Sequence, residues 1–244
     1  MIIAYAKSDI GKAREMNQDA YYISEPSSPI KLYLLADGMG GYKGGEIASN
    51  LAIKCAKSYI ENNFKDVAKD RDSLIQLVAS SMEYANMVVY EKSKENKELE
   101  GMGTTLEVCL IYNNKAYIGH IGDSRIYRIR KTFIRKLTTD HSYVQKLVKD
   151  GTITKEEAEV HPKKNMLTKA LGCNAFVEPD VMVRGFQKED ALVICSDGLT
   201  NMVSKEEIFN LVTNNFETAP KELVDLANQN GGIDNITVIT IKNL

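Results

Sequence analysis

Leu32-Tyr33-Leu34-Leu35-Ala36-Asp37-Gly38-Met39-Gly40-Gly41 is the stretch of sequence that decides the fold. Its first half is an apolar run that predicts a buried strand, and an aspartate with glycines beside it ends that run. A helical pattern with one apolar face follows over about residues 43–62. The stretch therefore predicts a carboxylate fixed at the end of a buried strand.

Three further aspartates also lie at the edges of strand-like apolar runs. Asp197 ends the run over residues 191–195, whereas Asp19 and Asp234 begin runs over residues 20–23 and 236–241. Carboxylates at strand ends, with glycine nearby, are what a rigid oxygen-ligand metal site needs. The motifs are Asn17-Gln18-Asp19, Ser196-Asp197-Gly198 and Gly231-Gly232-Ile233-Asp234-Asn235.

Any one of these aspartates could simply belong to a turn, because Asp and Gly both favour turns. Four carboxylates brought together would repel one another, and two divalent cations would balance their charge. Oxygen ligands suit Mg²⁺ or Mn²⁺. Zinc is less favoured, because none of the three histidines pairs with a cysteine at zinc spacing. Two such ions about 4 Å apart suit the hydrolysis of a phosphate ester.

Two other charged residues extend this hypothesis. Arg14 lies shortly before Asp19, and its guanidinium could hold phosphate oxygens bidentately, although an exposed loop arginine is the alternative. Asp123, in Gly122-Asp123-Ser124-Arg125, could bind a further metal or pair with Arg125. The residues alone favour the ion pair.

Length and charge limit the remaining possibilities. The chain has 244 residues and no long linker, which predicts a single domain over residues 1–244. Its net charge of -2 argues against nucleic acid as a partner. No apolar stretch reaches the roughly 20 residues that cross a bilayer, so no membrane association is expected. The N-terminus lacks the features of a signal peptide.

Cysteine usage predicts the compartment. The four cysteines are far apart in sequence, form no CxxC pair and have mostly apolar neighbours. We expect buried free thiols at Cys55, Cys109, Cys173 and Cys195, and therefore a cytoplasmic location.

Strands that come in hairpins predict antiparallel sheets covered by helices, an α+β layer architecture. Asn113-Asn114 suits a tight hairpin turn, and Ser204-Lys205-Glu206-Glu207 matches a helix capping box. Residues 138–167, which we call the flap, read as a polar excursion from the core with short helical pieces. Helices are expected at about 43–62, 73–95, 141–149, 155–161 and 220–230, and strands at 105–112, 115–121, 124–130, 132–137, 177–183 and 191–195.

The motifs, in this order, resemble the metal-dependent protein phosphatase family, also called protein phosphatase 2C, and its bacterial serine/threonine phosphatase branch. The resemblance covers essentially the whole chain. It is carried by Arg14 with Asn17-Gln18-Asp19, Ala36-Asp37-Gly38-Met39-Gly40-Gly41, Gly101-Met102-Gly103-Thr104-Thr105, Gly122-Asp123-Ser124-Arg125, Leu137-Thr138-Thr139-Asp140-His141-Ser142, Ser196-Asp197-Gly198-Leu199 and Gly231-Gly232-Ile233-Asp234-Asn235-Ile236-Thr237.

The resemblance implies a four-layer α-β-β-α sandwich and hydrolysis of phosphoserine and phosphothreonine on proteins. It implies two Mn²⁺ or Mg²⁺ ions, a bridging water that attacks phosphorus, a cognate Ser/Thr kinase in the same cell and a monomeric chain. The implied metal ligands are Asp19, Asp37, the Gly38 carbonyl, Asp197 and Asp234, of which Asp37 and Asp197 are the catalytic pair, with Arg14 on the substrate phosphate, Asp123 on a third metal and Asn235 shaping the turn at Asp234.

Met39 departs from the pattern of many eukaryotic members, which have a histidine there that is proposed as the general acid. Gln18 also replaces a glutamate, as it does in bacterial members. The leaving alkoxide needs a proton that Met39 cannot supply. A water on the Asp123 ion is our hypothesis for the donor. His120 is a poor substitute, because strand alternation would put it on the opposite face from Asp123.

Two other functions remain open at this stage. One is a non-catalytic relative that binds phosphoproteins or acts as a scaffold, which the complete set of aspartates disfavours. The other is a metal hydrolase that acts on small phosphate esters or nucleotides, which the order of the motifs disfavours.

Overall fold

The first of two facing antiparallel sheets joins the two ends of the chain. This computed structural model describes residues 1–95 and 97–244, except for the side chains of residues 41–43. The strand order of this sheet is β1-β11-β10-β7-β8. Strand β11 pairs with β1 on one side and with β10 on the other. The strands are β1 (Ile2–Asp9), β7 (Arg125–Arg130), β8 (Phe133–Lys136), β10 (Ala191–Cys195) and β11 (Ile236–Asn243).

The second sheet contains the strand that decides the fold. Its order is β2-β3-β5-β6-β9, with the short β4 paired to the end of β3. The strands are β2 (Asp19–Ile23), β3 (Lys31–Met39), β4 (Gly103–Thr104), β5 (Leu106–Tyr112), β6 (Lys115–Ile121) and β9 (Asp180–Gly185).

Helices cover the outer face of each sheet. Helices α1 and α2 pack on the second sheet, and α6 and α7 pack on the first. A third apolar cluster, which includes Leu35, Ile118, Ile194 and Ile239, lies between the two sheets. The helices are α1 (Gly41–Asn63), α2 (Arg71–Lys94), α3 (Tyr143–Lys149), α4 (Lys155–Glu159), α5 (Asp197–Thr200), α6 (Lys205–Asn214) and α7 (Ala219–Gln229), with a 3₁₀ turn at Lys97–Leu99. The four-layer α-β-β-α sandwich is confirmed.

Local signals in the sequence predicted several elements correctly. Asn113 and Asn114 both have positive φ, 45° and 55°, as a tight turn between β5 and β6 requires. Ser204 and Glu207 form the predicted reciprocal capping box at the start of α6. The flap contains α3 and α4, and an antiparallel bridge between Ser142 and Leu167 closes its base.

Two predictions need correction, and one helix was not predicted. The strand expected at 177–183 runs instead from Asp180 to Gly185, where it pairs with β6. Cys173 is exposed rather than buried, because it lies in the loop before β9, whereas the other three cysteines are buried. The sequence pattern also missed α5, since a helix of this length has no periodicity to detect.

Among the helices in residues 1–95 and 97–244, none is both long enough and apolar enough to cross a bilayer.

Asn86 fixes α2 to the loop that precedes β9. Its side chain is 2% exposed. Its Oδ1 accepts a hydrogen bond from the Gly172 amide at 2.8 Å, and its Nδ2 donates to the carbonyls of Asn174 at 3.1 Å and Ala175 at 3.3 Å. One amide side chain therefore satisfies several main-chain groups.

We expect Asn86→Ala to lower the free energy of unfolding by about 2–3 kcal/mol, because it leaves buried main-chain groups unpaired. Asn50→Ala is the matched control, since the Asn50 amide is exposed and donates to the Glu46 carbonyl of its own helix. Urea unfolding of both variants measures the difference. Equal losses in the two variants would contradict this role for Asn86.

Candidate metal centre

Strands β2 and β3 bring the first two aspartates together. Asp19 and Asp37 are directly opposite in the antiparallel register. Gly38 follows at a very close approach of the chain, because a Cβ there would lie 2.1 Å from the Gly45 carbonyl oxygen and 2.6 Å from that of Gln18. Glycine is therefore required at this position for the start of α1 to pack against the end of β3.

Two hydroxyl groups hold the Asp19 side chain. Ser196 Oγ donates to Asp19 Oδ2 at 2.8 Å, and Thr237 Oγ1 donates to the same oxygen at 2.7 Å. Asp19 Oδ1 is buried and has no hydrogen-bond partner among the described residues. Ser196 and Thr237 stand in the quoted motifs, but the sequence alone assigned them no role. Their only signal is that each is a polar residue next to an apolar strand run.

Asp197 and Asp234 approach the same region from the first sheet. Asp197 is the first residue of α5, and its Oδ2 accepts from Asn201 Nδ2 at 3.1 Å. Its Oδ1 is buried without a hydrogen-bond partner in the described part of the chain. Asp234 Oδ2 accepts from Arg14 Nη2 at 2.7 Å, and its Oδ1 accepts from the Asn235 amide at 2.9 Å.

Asn235 joins the N-terminal loop to the start of β11. Its side chain is buried, its Oδ1 accepts from the Gln18 amide at 2.8 Å, and its Nδ2 donates to the carbonyls of Ile10 and Met16, both at 2.9 Å. The loop that carries Arg14 is therefore attached beside Asp234. This contact places the arginine at the rim of the site, where its side chain is 53% exposed.

Burial and neighbouring carboxylates raise the pKa values of Asp19, Asp37 and Asp197. Burial is the largest cause at Asp19, whose pKa rises to about 7 despite its two hydroxyl partners, and Asp197 and Asp234 raise it further. Burial and then Asp19 and Asp197 raise the pKa of Asp37 well above its usual range. Burial and Asp234 also raise the pKa of Asp197. These effects place the carboxyl groups of Asp19, Asp37, Asp197 and Asp234 within electrostatic reach of one another.

Asp123 belongs to the same electrostatic cluster. Burial raises its pKa to about 7, and the carboxylates of Asp197 and Asp140 contribute to the rise. The Asp123–Arg125 ion pair favoured by the sequence is wrong, because Arg125 donates to Asp140 instead, from Nε at 3.0 Å and from Nη2 at 2.8 Å. The partner lies in the flap, which a local sequence pattern cannot reveal.

His141, a residue that our sequence analysis assigned no role, holds the loop before Asp123. Its Nδ1 accepts from the Gly122 amide at 3.1 Å, and its own amide donates to the Gly122 carbonyl at 2.7 Å. Its Nε2 lies 3.2 Å from Asp180 Oδ2. Because Nδ1 is an acceptor, the proton of the neutral ring is on Nε2. Burial, which disfavours the charged ring, lowers the pKa of His141 to about 4.

His120 is bonded to groups outside the acidic cluster. It is fully buried, its Nδ1 contacts the Glu107 carboxylate, and its Nε2 lies 2.9 Å from the Thr139 carbonyl oxygen. Both ring nitrogens are therefore engaged. This arrangement leaves His120 without a free proton to give to a substrate.

The donor set fits hard divalent cations. The converging groups are carboxylates, and two of their buried oxygens, Asp19 Oδ1 and Asp197 Oδ1, have no partner among the described residues. No three His, Cys, Asp or Glu side chains in residues 1–95 and 97–244 are grouped so that they could hold an ion by themselves. Carbonyl oxygens and waters commonly complete such coordination.

A wide cleft of about 1060 Å³ opens next to the acidic cluster. Asp123 and Asp197 lie on one side of it, and the flap forms another side through α3 and α4. Helix α6 and the segment before it complete the wall. The cleft is large enough for a peptide segment to reach the carboxylates.

Known proteins resemble this chain in sequence and in fold. A family model described as Protein phosphatase 2C matches residues 11–228. The protein phosphatase PhpP of Streptococcus pneumoniae is 39% identical over 240 residues, which cover 96% of this chain and 95% of that protein. The solved serine/threonine phosphatase of S. agalactiae superposes with a TM-score of 0.92 at 36% identity and covers 100% of both chains.

A further solved structure bears on the acidic cluster. It is the catalytic domain of the serine/threonine protein phosphatase PstP in complex with two manganese ions, with a TM-score of 0.86, 33% identity and coverage of 99% of this chain and 97% of that one. These matches place the fold in the class of metal-dependent protein phosphatases. The chain belongs to the protein phosphatase 2C family and is a protein serine/threonine phosphatase. The resemblance inferred from the motifs is thereby confirmed.

We expect the metal-free chain to lose stability as the pH rises from about 6.5 to 8. A carboxyl group whose pKa is higher in the folded state stabilises the fold fully below its unfolded pKa, and that contribution is lost as the pH rises through the folded pKa. Asp19 and Asp123 reach about 7. His141 acts in the opposite direction, but its contribution is complete near its unfolded pKa of about 6.5.

The free energy of unfolding in excess chelator should fall by at least about 1 kcal/mol across this range. Asp123→Asn should reduce the fall, whereas Asp72→Asn, which changes an exposed carboxylate on α2, should not. A stability that is constant over this range in wild-type protein would show that the carboxyl groups do not have raised pKa values.

Proposed function

We propose that this chain hydrolyses phosphoserine and phosphothreonine esters on proteins with two Mn²⁺ or Mg²⁺ ions held by the acidic cluster. The observation that carries the proposal is the pair of buried, unpartnered oxygens, Asp19 Oδ1 and Asp197 Oδ1, within carboxyl groups whose pKa values are raised by burial and by neighbouring carboxylates. A buried cluster of this kind is costly without cations. The two manganese ions of the PstP structure support the same reading.

Each residue has a proposed part. Asp19, Asp37, the Gly38 carbonyl, Asp197 and Asp234 would hold the two ions, and Asp37 and Asp197 would be the catalytic pair. When bound, the ions would lower the pKa of a water that attacks phosphorus and would stabilise the developing charge. Ser196 and Thr237 orient Asp19 through their hydrogen bonds. Asn235 positions the loop that carries Arg14 beside Asp234.

Arg14 is proposed to bind the substrate phosphate. In this structure its guanidinium is bonded to Asp234, and this hydrogen bond is the largest cause of the raised pKa of Arg14. Its remaining donors are at the exposed rim, where a phosphoryl group could approach. The guanidinium would then neutralise the carboxylate and the phosphate together.

Asp123 is proposed to hold a third ion. It is partly buried in the wall of the cleft, lacks the arginine partner that the sequence suggested, and lies within the electrostatic reach of Asp197. The leaving serine or threonine oxygen needs a proton, which neither Met39 nor the engaged His120 can provide. The wall of the cleft around Asp123 is therefore where we place the proton source.

The wider context is also proposed. We expect phosphorylated proteins as substrates, a cognate Ser/Thr kinase as the opposing enzyme, a monomeric chain and a cytoplasmic location. No nucleic-acid partner is expected, because the net charge of -2 offers no general attraction to a phosphate backbone.

Asp37→Asn and Asp197→Asn should each abolish turnover of a phosphothreonine peptide in Mn²⁺ while the protein stays folded. Loss of a carboxylate removes a ligand that the amide replaces only weakly. Peptide hydrolysis and circular dichroism provide the two measurements, and Asp72→Asn is the control. Turnover that persists in both variants or in excess chelator would contradict the metal mechanism. A folded wild type without any turnover would favour a phosphoprotein-binding scaffold.

Arg14→Ala should lower kcat/KM for the peptide by about ten- to hundredfold, the size of a lost hydrogen bond to a charged group. If Arg14 binds phosphate, the Mn²⁺ concentration needed for half-maximal activity stays the same. If Arg14 acts only by neutralising Asp234, that Mn²⁺ requirement changes and KM does not. Arg71→Ala removes an exposed arginine from α2 and should leave both quantities unchanged.

A further inference from the structure

Four arginines meet at the open edge of the sandwich, where β8 and β9 are the edge strands of the two sheets. Arg128 and Arg130 lie on one face of β7, since they are two residues apart. Arg135, on β8, is directly opposite Arg128 in the antiparallel register. Arg184 lies on β9, across the edge. We call these four residues the arginine edge.

The arginine edge is packed closely enough for its charges to interact. Arg128 Nη1 donates to the Gly185 carbonyl at 3.2 Å, and Arg130 Nη2 donates to the same oxygen at 3.1 Å. Two guanidinium groups are therefore within hydrogen-bond reach of a single atom. Like charges directly opposite on neighbouring strands, such as Arg128 and Arg135, destabilise the pairing.

A single carboxylate contacts this group among the described residues, and it is already used. Asp190 is buried, and its two oxygens accept from Arg130 Nε at 2.7 Å and from Arg130 Nη2 at 2.6 Å. Its Oδ2 also accepts from the Gln187 amide at 2.6 Å. The neighbouring Glu189 pairs with Lys242 instead. Three arginines are left without a carboxylate partner in residues 1–95 and 97–244.

Arg128 shows the imbalance most clearly. Its Nε is buried and has no hydrogen-bond partner in the described structure. Burial lowers its pKa, and the nearby positive charges of Arg130, Arg135 and Arg184 lower it further, against the opposite effect of Asp190. Arg135 and Arg184 are exposed, so their side chains can move towards a ligand.

We propose that the arginine edge is a binding site for a phosphoryl group, separate from the acidic cluster. Guanidinium groups match the oxygens of a phosphate bidentately, and several together hold a doubly charged anion. An anion here would neutralise the opposed Arg128 and Arg135 and accept the unpaired donors. The ligand is either inorganic phosphate or a phosphorylated residue of a protein, because both present the same group.

Distance keeps this site apart from the reaction. Arg125, at the start of β7, bonds to Asp140 beside the Asp123 loop. Arg130 ends the same strand, about 17 Å further along at the usual rise per residue. A phosphoryl group at the arginine edge is therefore not in contact with the acidic cluster. The proposal does not depend on the metal mechanism.

The test is calorimetric titration of the full chain, loaded with Mg²⁺, with inorganic phosphate at constant ionic strength. We compare wild type with Arg135→Gln/Arg184→Gln, and with Lys65→Gln/Arg71→Gln as a control that removes two exposed positive charges elsewhere. The arginine-edge variant should bind phosphate at least about tenfold more weakly, the loss expected for charge-assisted hydrogen bonds. The control should bind as wild type does.

A second arm distinguishes the two sources of the phosphoryl group. A peptide with a non-hydrolysable phosphonate analogue of phosphoserine replaces phosphate in the same titration. If only the peptide binds more weakly to the arginine-edge variant than to wild type, the ligand is a phosphorylated protein segment. If both probes bind more weakly to the variant than to wild type, the free phosphate ion is sufficient for binding at this site. If neither probe distinguishes the variant from the control, the proposal is wrong.

Activity separates this proposal from the proposed function. Turnover of para-nitrophenyl phosphate, and its inhibition by phosphate, should be the same in wild type, variant and control. Any phosphate bound at the acidic cluster is then measured separately as inhibition. Arg135→Gln alone provides a milder variant, which in phosphate-free buffer should melt no lower than wild type, because it removes a like-charge contact. A lower kcat in the arginine-edge variant would show that these residues serve the reaction, contrary to the proposal.

Discussion

The acidic cluster depends on two hydrogen bonds, which the hydroxyls of Ser196 and Thr237 donate to the same oxygen of Asp19. Asp19 begins β2 in the second sheet, whereas Ser196 and Thr237 belong to the ends of β10 and β11 in the first. A buried charge is tolerated only where hydrogen bonds or an opposite charge compensate its lost hydration. The two sheets must therefore meet in this register for Asp19 to be buried at all, and the same meeting brings Asp37 and Asp197 together. The sandwich and the site form as one structure.

The ends of the chain complete that structure. Strand β1 pairs along its length with β11, so the loops at residues 10–18 and 231–235 lie side by side. The amides of Lys12 and Ala13 donate to the Gly232 carbonyl at 2.7 and 3.2 Å, and Asn235 donates to Ile10 and Met16. Motifs that are more than 200 residues apart in sequence thus share main-chain hydrogen bonds. A rigid frame of this kind holds charged groups at fixed distances, which a catalytic centre requires.

The sequence predicts those parts of the fold that depend on neighbours along the chain. Asn113 and Asn114 have side chains that tolerate positive φ, and Ser204 and Glu207 cap a helix that begins between them. The convergence of the aspartates was predictable because each lies at a strand end. The partners that support them were not, because the hydroxyl of Thr237 and the carboxylate of Asp140 acquire their roles through register and through the flap. Arg125 shows the limit most clearly, since a residue two positions away was the wrong partner and one fifteen positions away was the right one.

The net charge of -2 conceals two local clusters of opposite charge in this chain. Asp123 lies two residues before the first residue of β7, and Arg128 and Arg130 lie in its second half, so one rigid strand separates the anionic cluster from the cationic edge. Within the described residues neither cluster is fully neutralised: Arg14 is the exposed partner of Asp234, and Asp190 pairs with Arg130 alone among the four arginines. A folded state that keeps like charges together is stabilised by whatever counter-ion binds it and not the unfolded chain. The same argument therefore supports both proposals, a divalent cation bound at the acidic end of β7 and a phosphoryl group bound at its basic end.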